Sequence, residues 1–338
     1  MKRLICLFII LCMVILICGC NKDSAQTNAK SSEPISASPS KTEDVSSSAK
    51  DEPSEPSEPS SSEPTSEPSS VPSTTQNTNK TPATATTETV NDYPVFDPYN
   101  VRGLSTARVG YSYGVAKNGE AHQNSKNNQK YFDSLSDVEA LALDTKSSDK
   151  CMYLTFDCGY EYQGITGEIL DILKEKNVKA AFFCTLDYLK KNPELVRRMI
   201  DEGHIVGNHS ATHPDFTTIS RAKMAEEIYI VENYLQNNFN YKSPYFRFPT
   251  GAYSESALDL VTSAGYKSIF WSVAHADWET ANQPTEDEAF KTVTDRYHNG
   301  AVILLHSVSS ANRDALDRMI DKAHADGYVF KTLDEYSW

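Results

Sequence analysis

The chain contains 338 residues, of which 46 are acidic and 32 are basic, and its formal net charge is −14. This acidic balance argues against nucleic acid or an anionic lipid surface as the main partner. The length alone would allow two domains. Residues 21–92, however, are dominated by Ser, Thr, Pro, Glu, Lys and Ala, so the remaining apolar sequence suffices for one globular domain.

The first 20 residues have the pattern of a secretion signal. Lys2 and Arg3 precede an unbroken apolar run over residues 4–17, as in the charged and hydrophobic regions of signal peptides. The segment ends Ile-Cys-Gly-Cys20, which resembles the bacterial lipobox, where the last Cys is lipidated and becomes the mature N-terminus. A short transmembrane anchor is the alternative. Both predict an exported protein tethered at the outer face of the membrane.

Residues 21–92 are predicted to be a disordered linker. They contain repeated Ser-Glu-Pro units and almost no side chain that a core could bury. About 70 flexible residues have a root-mean-square span of about 45–50 Å, and Pro and like charges extend it further. Such a tether lets a domain act on a thick, immobile structure beside the membrane, for which the cell wall is the obvious candidate.

Residues 93–149 have no clear periodic pattern. A short helix is predicted over residues 137–141. Four aromatic residues indicate that this N-terminal extension packs on the domain that follows, namely Tyr111, Tyr113, Tyr131 and Phe132.

From Cys151 onward, strand patterns alternate with helical ones. Seven strands are predicted, at 153–156, 180–185, 204–206, 245–248, 267–273, 301–305 and 328–333. This alternation is typical of parallel strands wrapped by helices and predicts an α/β fold, a distorted or incomplete (β/α)7-type barrel. A doubly wound open sheet is the alternative. Because no Gly-rich phosphate loop follows the first strand, nucleotide binding is not expected.

Polar side chains stand at the ends of several predicted strands. Asp157 directly follows the apolar run 153–156, and the other polar residues follow later strands, at His209, His213, Arg247, Asp277 and His306. The carboxyl ends of parallel strands meet at one rim of a barrel, where catalytic groups are built. The four-residue spacing of the two histidines is also typical of metal chelation, although Pro214 prevents a regular helix from continuing there.

Five stretches resemble, in order and spacing, the motifs of the polysaccharide deacetylases with a NodB-type domain. They are Thr155-Phe-Asp-Cys-Gly159, His209-Ser-Ala-Thr-His213-Pro214, Arg247-Phe-Pro-Thr-Gly251, Asp277-Trp278 and Leu304-Leu-His306. The resemblance assigns residues 150–338 to the deacetylase domain. Residues 153–161, 201–209 and 306–316 are more closely similar to the branch that acts on N-acetylmuramic acid in peptidoglycan and forms δ-lactams.

The resemblance implies hydrolysis of an N-acetyl amide on a sugar of the peptidoglycan glycan strands. A divalent cation, with Zn²⁺ as the expected ion, is implied on His209 and His213, where it would polarise the carbonyl and activate water. Asp157 is the expected general base and His306 the expected general acid.

The resemblance also assigns supporting roles around these groups. Asp277 is expected to orient His306, and Arg247 to keep Asp157 ionised. The backbone N–H of Thr250 is expected to receive the oxyanion, and Tyr160 and Trp278 to contact the substrate.

The sequence departs from the family pattern beside the expected base. Relatives usually have Asp there as the third metal ligand, whereas this chain has Cys158. A thiolate ligand, a site of two histidines plus water, and a Cys158–Cys184 disulfide are three open alternatives. Thr250 replaces the usual Tyr or Arg, and Phe248 replaces Pro.

Two other functions compete with muramic acid deacetylation. One is deacetylation of N-acetylglucosamine in the wall. The other is a non-catalytic wall-binding lipoprotein that has lost its metal through Cys158.

Overall fold

The computed structural model describes residues 84–338. The predicted signal peptide, Cys20 and most of the predicted linker lie outside these residues. The last residues of the predicted linker are folded, since strand β1 (Thr87–Val90) pairs antiparallel with β2 (Tyr93–Phe96). The linker boundary at residue 92 was therefore placed too late in the chain.

Eight further strands and eight helices follow. The strands are β3 (Ala140–Leu141), β4 (Cys151–Cys158), β5 (Ala181–Cys184), β6 (Ile205–Asn208), β7 (Tyr245–Phe246), β8 (Lys267–Ile269), β9 (Ala301–His306) and β10 (Val329–Phe330). The helices are α1 (Gln123–Asp133), α2 (Ile165–Glu175), α3 (Leu186–Lys191), α4 (Pro193–Asp201), α5 (Arg221–Phe239), α6 (Glu255–Ser263), α7 (Glu286–Thr294) and α8 (Ser310–Ala325).

Strands β3–β10 form one parallel sheet that curls into an incomplete barrel. Strand β4 lies between β9 and β5, and the sheet continues through β6, β7 and β8 to β3. Its far edges approach each other only through single bridges, of which one joins Val273 to Ile303 and another joins Leu143 to Ala301. The helices cover the outer face. The prediction of a distorted (β/α)7-type barrel is therefore confirmed.

The alternation of side chains along β4 decides which groups enter the barrel. Met152, Leu154, Phe156 and Cys158 belong to the core between sheet and helices. Cys151 and Tyr153 belong to the core inside the barrel. Because successive side chains of a strand point to opposite faces, Thr155 and Asp157 also face inward.

The N-terminal extension supplies the last strand of the sheet. The helix predicted over 137–141 is wrong, since β3 occupies its end and pairs parallel with β8. Helix α1 was not predicted. Its sequence is mostly polar, and it is held mainly by Gln129, whose amide donates to the carbonyl of Ala140 and accepts from the N–H of Ala142.

None of the helices between residues 84 and 338 combines the length and apolarity needed to span a lipid bilayer.

Candidate active site

Asp157 ends the inward face of β4 and is paired with Arg247, a fully buried cation just after β7. Arg247 Nη1 donates to Asp157 Oδ1 at 2.8 Å, and its Nη2 donates to the hydroxyl of Thr155 at 2.8 Å. Burial alone would raise the pKa of Asp157. The positive charge of Arg247 and its hydrogen bond to the carboxylate outweigh the effect of burial, so the pKa is lowered from its ordinary value. The carboxylate is thus held ionised in a buried position.

Two imidazoles stand beside this carboxylate at the end of β6. His209 Nδ1 lies 2.9 Å from the carbonyl oxygen of Arg247. Because a carbonyl only accepts, Nδ1 carries the hydrogen and Nε2 keeps its lone pair. This Nε2 lies 3.5 Å from Asp157 Oδ2, too far for a hydrogen bond. The ring centroids of His209 and His213 are 4.8 Å apart.

Both imidazoles are neutral in this environment. Burial lowers the pKa of His209 to about 4, despite the neighbouring Asp157. Burial also lowers the pKa of His213. A neutral imidazole whose other nitrogen donates to a backbone carbonyl is the usual arrangement of a metal-binding histidine.

His306 approaches from the opposite side. It ends β9, where it is the register partner of Asp157 on β4. Its Nδ1 donates to Asp277 Oδ1 at 2.7 Å, and its backbone N–H donates to Asp277 Oδ2 at 2.8 Å. Burial alone would lower the pKa of His306, but Asp277 and Asp157 outweigh it and raise the pKa. The protonated imidazole is therefore stabilised.

Asp157, His209, His213 and His306 line a single cleft of about 750 Å³, and Arg247 and Asp277 are buried behind it. Tyr160 and Trp278 form part of its wall, with 47% and 52% of their surfaces exposed. The Trp278 ring meets His306 edge to face at a centroid distance of 5.6 Å. Thr250 also lines the cleft and has a positive φ of 57°. The sequence-predicted residues other than Cys158 and Cys20 are thus brought to one place.

Comparison with known proteins agrees with this geometry. The family model for polysaccharide deacetylases matches residues 144–269. The peptidoglycan-N-acetylmuramic acid deacetylase PdaA of Bacillus subtilis is 41% identical over 190 residues, which cover 56% of this chain and 72% of that protein. The chain belongs to the polysaccharide deacetylase family. The resemblance inferred from the five motifs is thereby confirmed.

Two further comparisons extend this result for the deacetylase. A peptidoglycan-N-acetylglucosamine deacetylase of Bacillus cereus is 33% identical over 184 residues, or 53% of this chain and 66% of that protein. The solved structure of B. subtilis PdaA, a family 4 carbohydrate esterase, superposes with a TM-score of 0.63 and 34% identity, and the match covers 69% of this chain and 98% of that one. Family 4 deacetylases are generally metal-dependent hydrolases of N-acetyl amides.

Cys158 does not take the place of the family's third metal ligand. It is fully buried in the core under the helices and does not line the cleft. It follows Asp157 directly, and neighbouring residues of a strand point to opposite faces. In the described residues Cys151, Cys158 and Cys184 are all free, so the disulfide alternative is not supported either. Burial raises the pKa of the Cys184 thiol well above its ordinary value.

The loop between the two histidines has a support that sequence reasoning missed. Ser210 and His213 both have positive φ values, of 67° and 58°, which are unfavourable for non-Gly residues. Glu227, fully buried on α5, accepts hydrogen bonds from the N–H and hydroxyl of Thr212, at 2.7 and 2.9 Å. The carboxylate therefore fastens the loop between its two imidazoles. No local pattern marks Glu227, since it lies on the apolar face of a helix.

The side chains of the cleft supply some, but not all, of the ligands that a divalent cation needs. His209 and His213 offer neutral imidazoles, and His209 Nε2 has no hydrogen-bond partner within 3.5 Å other than the distant carboxylate oxygen. Among residues 84–338, no group of three or more His, Cys, Asp or Glu side chains forms a complete ligand set. Of the alternatives for the metal, two histidines with the remaining positions left to water or substrate agree best with this arrangement.

Proposed function

We propose that this deacetylase removes N-acetyl groups from peptidoglycan, with N-acetylmuramic acid as its substrate sugar. The main observation behind this proposal is that a single cleft contains an ionised Asp157, two neutral imidazoles and a His306 whose protonated form is stabilised. The 41% identity to a peptidoglycan-N-acetylmuramic acid deacetylase favours muramic acid.

Asp157 is proposed as the general base. Its lowered pKa keeps it unprotonated and ready to accept a proton from the attacking water. Arg247 fixes one carboxylate oxygen at 2.8 Å, which leaves the other oxygen facing the histidines. The water oxygen then adds to the acetyl carbonyl carbon.

His306 is proposed as the general acid. With Nδ1 bonded to Asp277, its Nε2 is the nitrogen free to act in the cleft. It gives its proton to the sugar nitrogen as the C–N bond breaks, so that acetate and a free amine result. Asp277 orients the ring and favours its protonated form.

His209 and His213 are proposed to hold the metal, for which Zn²⁺ suits two imidazole ligands. A bound divalent cation polarises the acetyl carbonyl and lowers the pKa of water. The backbone N–H of Thr250 is proposed to receive the developing oxyanion. Tyr160 and Trp278 offer exposed aromatic surfaces against which a sugar ring can pack.

The location of the activity is also a proposal. The signal-like residues 1–20, a lipid on Cys20 and the polar linker would place the domain at the outer face of the cell membrane, within reach of the glycan strands. Peptidoglycan as substrate agrees with the names of both relatives.

Mass spectrometry of purified peptidoglycan incubated with the Zn²⁺-loaded protein tests the proposal. We expect muramic acid to lose its acetyl group while glucosamine keeps it. Loss from glucosamine instead would assign the second candidate function, which the 33% identity to the B. cereus enzyme favours. No loss from either sugar would refute deacetylation of peptidoglycan.

A further inference from the structure

Behind the proposed general acid lie two side chains, Asn312 and His275, that the five deacetylase motifs do not include. Asn312, in the first turn of α8, is buried and donates its Nδ2–H to Asp277 Oδ2. On its other side, Asn312 Oδ1 lies 2.9 Å from His275 Nε2. The order of contacts is thus His275, Asn312, Asp277 and His306.

Hydrogen-bond chemistry fixes the direction of this chain. An amide that donates through Nδ2 presents Oδ1 as an acceptor, so His275 Nε2 must donate to it. A flipped Asn312 would turn Oδ1 toward the carboxylate of Asp277, where two acceptors would repel each other. Asp277, which can only accept, therefore selects the amide orientation, and His275 supplies the donor that Asn312 Oδ1 then needs.

The contacts of Asp277 leave it one orientation. Its side chain is fully buried. Oδ2 accepts from the Asn312 amide and from the backbone N–H of His306, and Oδ1 remains for His306 Nδ1. The backbone is also held, because Gln283 Nε2 donates to the Asp277 carbonyl at 2.8 Å, while Gln283 Oε1 accepts from the Ser309 hydroxyl.

We propose that Asn312, supported by His275, is a positioning residue that aims the Asp277 carboxylate at His306. The proposal deepens and rests on the proposed deacetylase function. Proton transfer from His306 then depends on a residue of α8 that does not line the cleft. Removing the Asn312 amide frees Asp277 Oδ2 from one of its two donors, so the carboxylate can rotate away from His306 Nδ1.

The test compares Asn312→Leu with wild type, because Leu has a similar volume and no polar atoms. We expect kcat for acetate release from peptidoglycan to fall by about tenfold, a part of the 10²–10⁴ that acid–base catalysis contributes. KM should stay within about twofold, since the wall of the cleft is unchanged. His275→Phe should lower kcat less, because Asn312 Oδ1 then loses its donor while Nδ2 still donates to Asp277.

A spectroscopic readout separates positioning from general destabilisation. The proton on His306 Nδ1, hydrogen-bonded to a carboxylate, gives a resolved low-field NMR signal that can be followed without substrate. In Asn312→Leu we expect this signal to shift upfield or broaden. Gln129→Leu is the matched control, because it removes a buried amide with comparable hydrogen bonds at β3. It should lower the melting temperature yet leave kcat and the His306 signal unchanged.

Wild-type kcat together with an unchanged His306 signal in Asn312→Leu would overturn the proposal. If Asn312→Leu does not fold, Asn312→Ser and Asn312→Ala replace it, since they differ in one hydroxyl donor. Equal kcat and equal His306 signals in these two variants would then refute positioning by a donor. Absence of acetate release by wild type would refute the proposed function instead, while the NMR comparison still decides the positioning role.

Discussion

On one side of the cleft, Asp157, Arg247 and His209 are packed out of solvent, and Arg247 is hydrogen-bonded to both of the others. On the other side, the His306 side chain keeps 23% of its surface exposed. We call these the base side and the acid side. The base side balances a carboxylate and a guanidinium inside the barrel, where each needs the other to remain charged. The acid side has its own carboxylate buried but its imidazole open. The exposed imidazole agrees with the proposed role of His306 as general acid, because a ring in contact with solvent can exchange protons with water between turnovers.

Asp157→Asn should have the largest effect. It removes the proton acceptor of the base side, and we expect kcat for acetate release to fall by about 10²–10⁴-fold. Zn²⁺ binding, measured by calorimetry, should persist because His209 and His213 remain. Asp144→Asn is the control, since Asp144 is another buried acid in the barrel, bonded to Tyr153 at 2.7 Å. Wild-type acetate release by Asp157→Asn would eliminate the proposed base.

Arg247→Met tests how strongly the base side is coupled. It leaves Asp157 buried without its cation, and we expect the free energy of unfolding in denaturant titrations to fall by about 3–5 kcal/mol near neutral pH. The pKa of Asp157 is lowered in the folded protein, so the pair stabilises the fold above the ordinary pKa of Asp and loses this contribution as pH falls.

The double variant Arg247→Met with Asp157→Leu sharpens the measurement. Removing both charges should restore much of the lost stability, because no unpaired charge then remains buried. The two charges are not coupled if adding Asp157→Leu to Arg247→Met lowers the free energy of unfolding by as much as Asp157→Leu does alone.

Asp277→Asn addresses the acid side through its pH profile. With His306 as the proposed general acid, catalysis needs its protonated form, and Asp277 raises the pKa of this imidazole. We therefore expect the alkaline limb of kcat/KM to move to lower pH, with activity near pH 6 least affected. The His306–Asp277 pair stabilises the fold below the ordinary His pKa of about 6.5, and that contribution disappears as pH rises through the raised pKa. If the alkaline limb of kcat/KM does not move, a group other than His306 is responsible for it.

Cys158→Ser should have the smallest effect, because Cys158 lies on neither side of the cleft. We expect unchanged Zn²⁺ affinity and acetate release, with a stability loss of about 1–3 kcal/mol from burying a hydroxyl. Cys184→Ser, its register partner on β5, should behave alike. A fall in Zn²⁺ affinity confined to Cys158→Ser would restore the thiolate-ligand alternative.

The sequence by itself determined the barrel and most of the cleft. Both rest on local signals. Alternating strands and helices imply a parallel sheet, and the groups that follow such strands share one rim. That reasoning places Asp157, His209, Arg247 and His306 together without coordinates. The family motifs added the expected division of roles among them.

Tertiary structure alone decided the face of Cys158, the strand at β3, and the supports Glu227, Asn312 and His275. The predicted strand ends at residue 156, and pairing with β5 extends β4 to Cys158, so that this thiol points to the face opposite Asp157. Two residues such as Ala140 and Leu141 become a strand only because β8 offers an open edge. The supporting residues lie on other elements than the groups they hold, and hydrogen bonds between distant elements leave no periodic trace in a sequence.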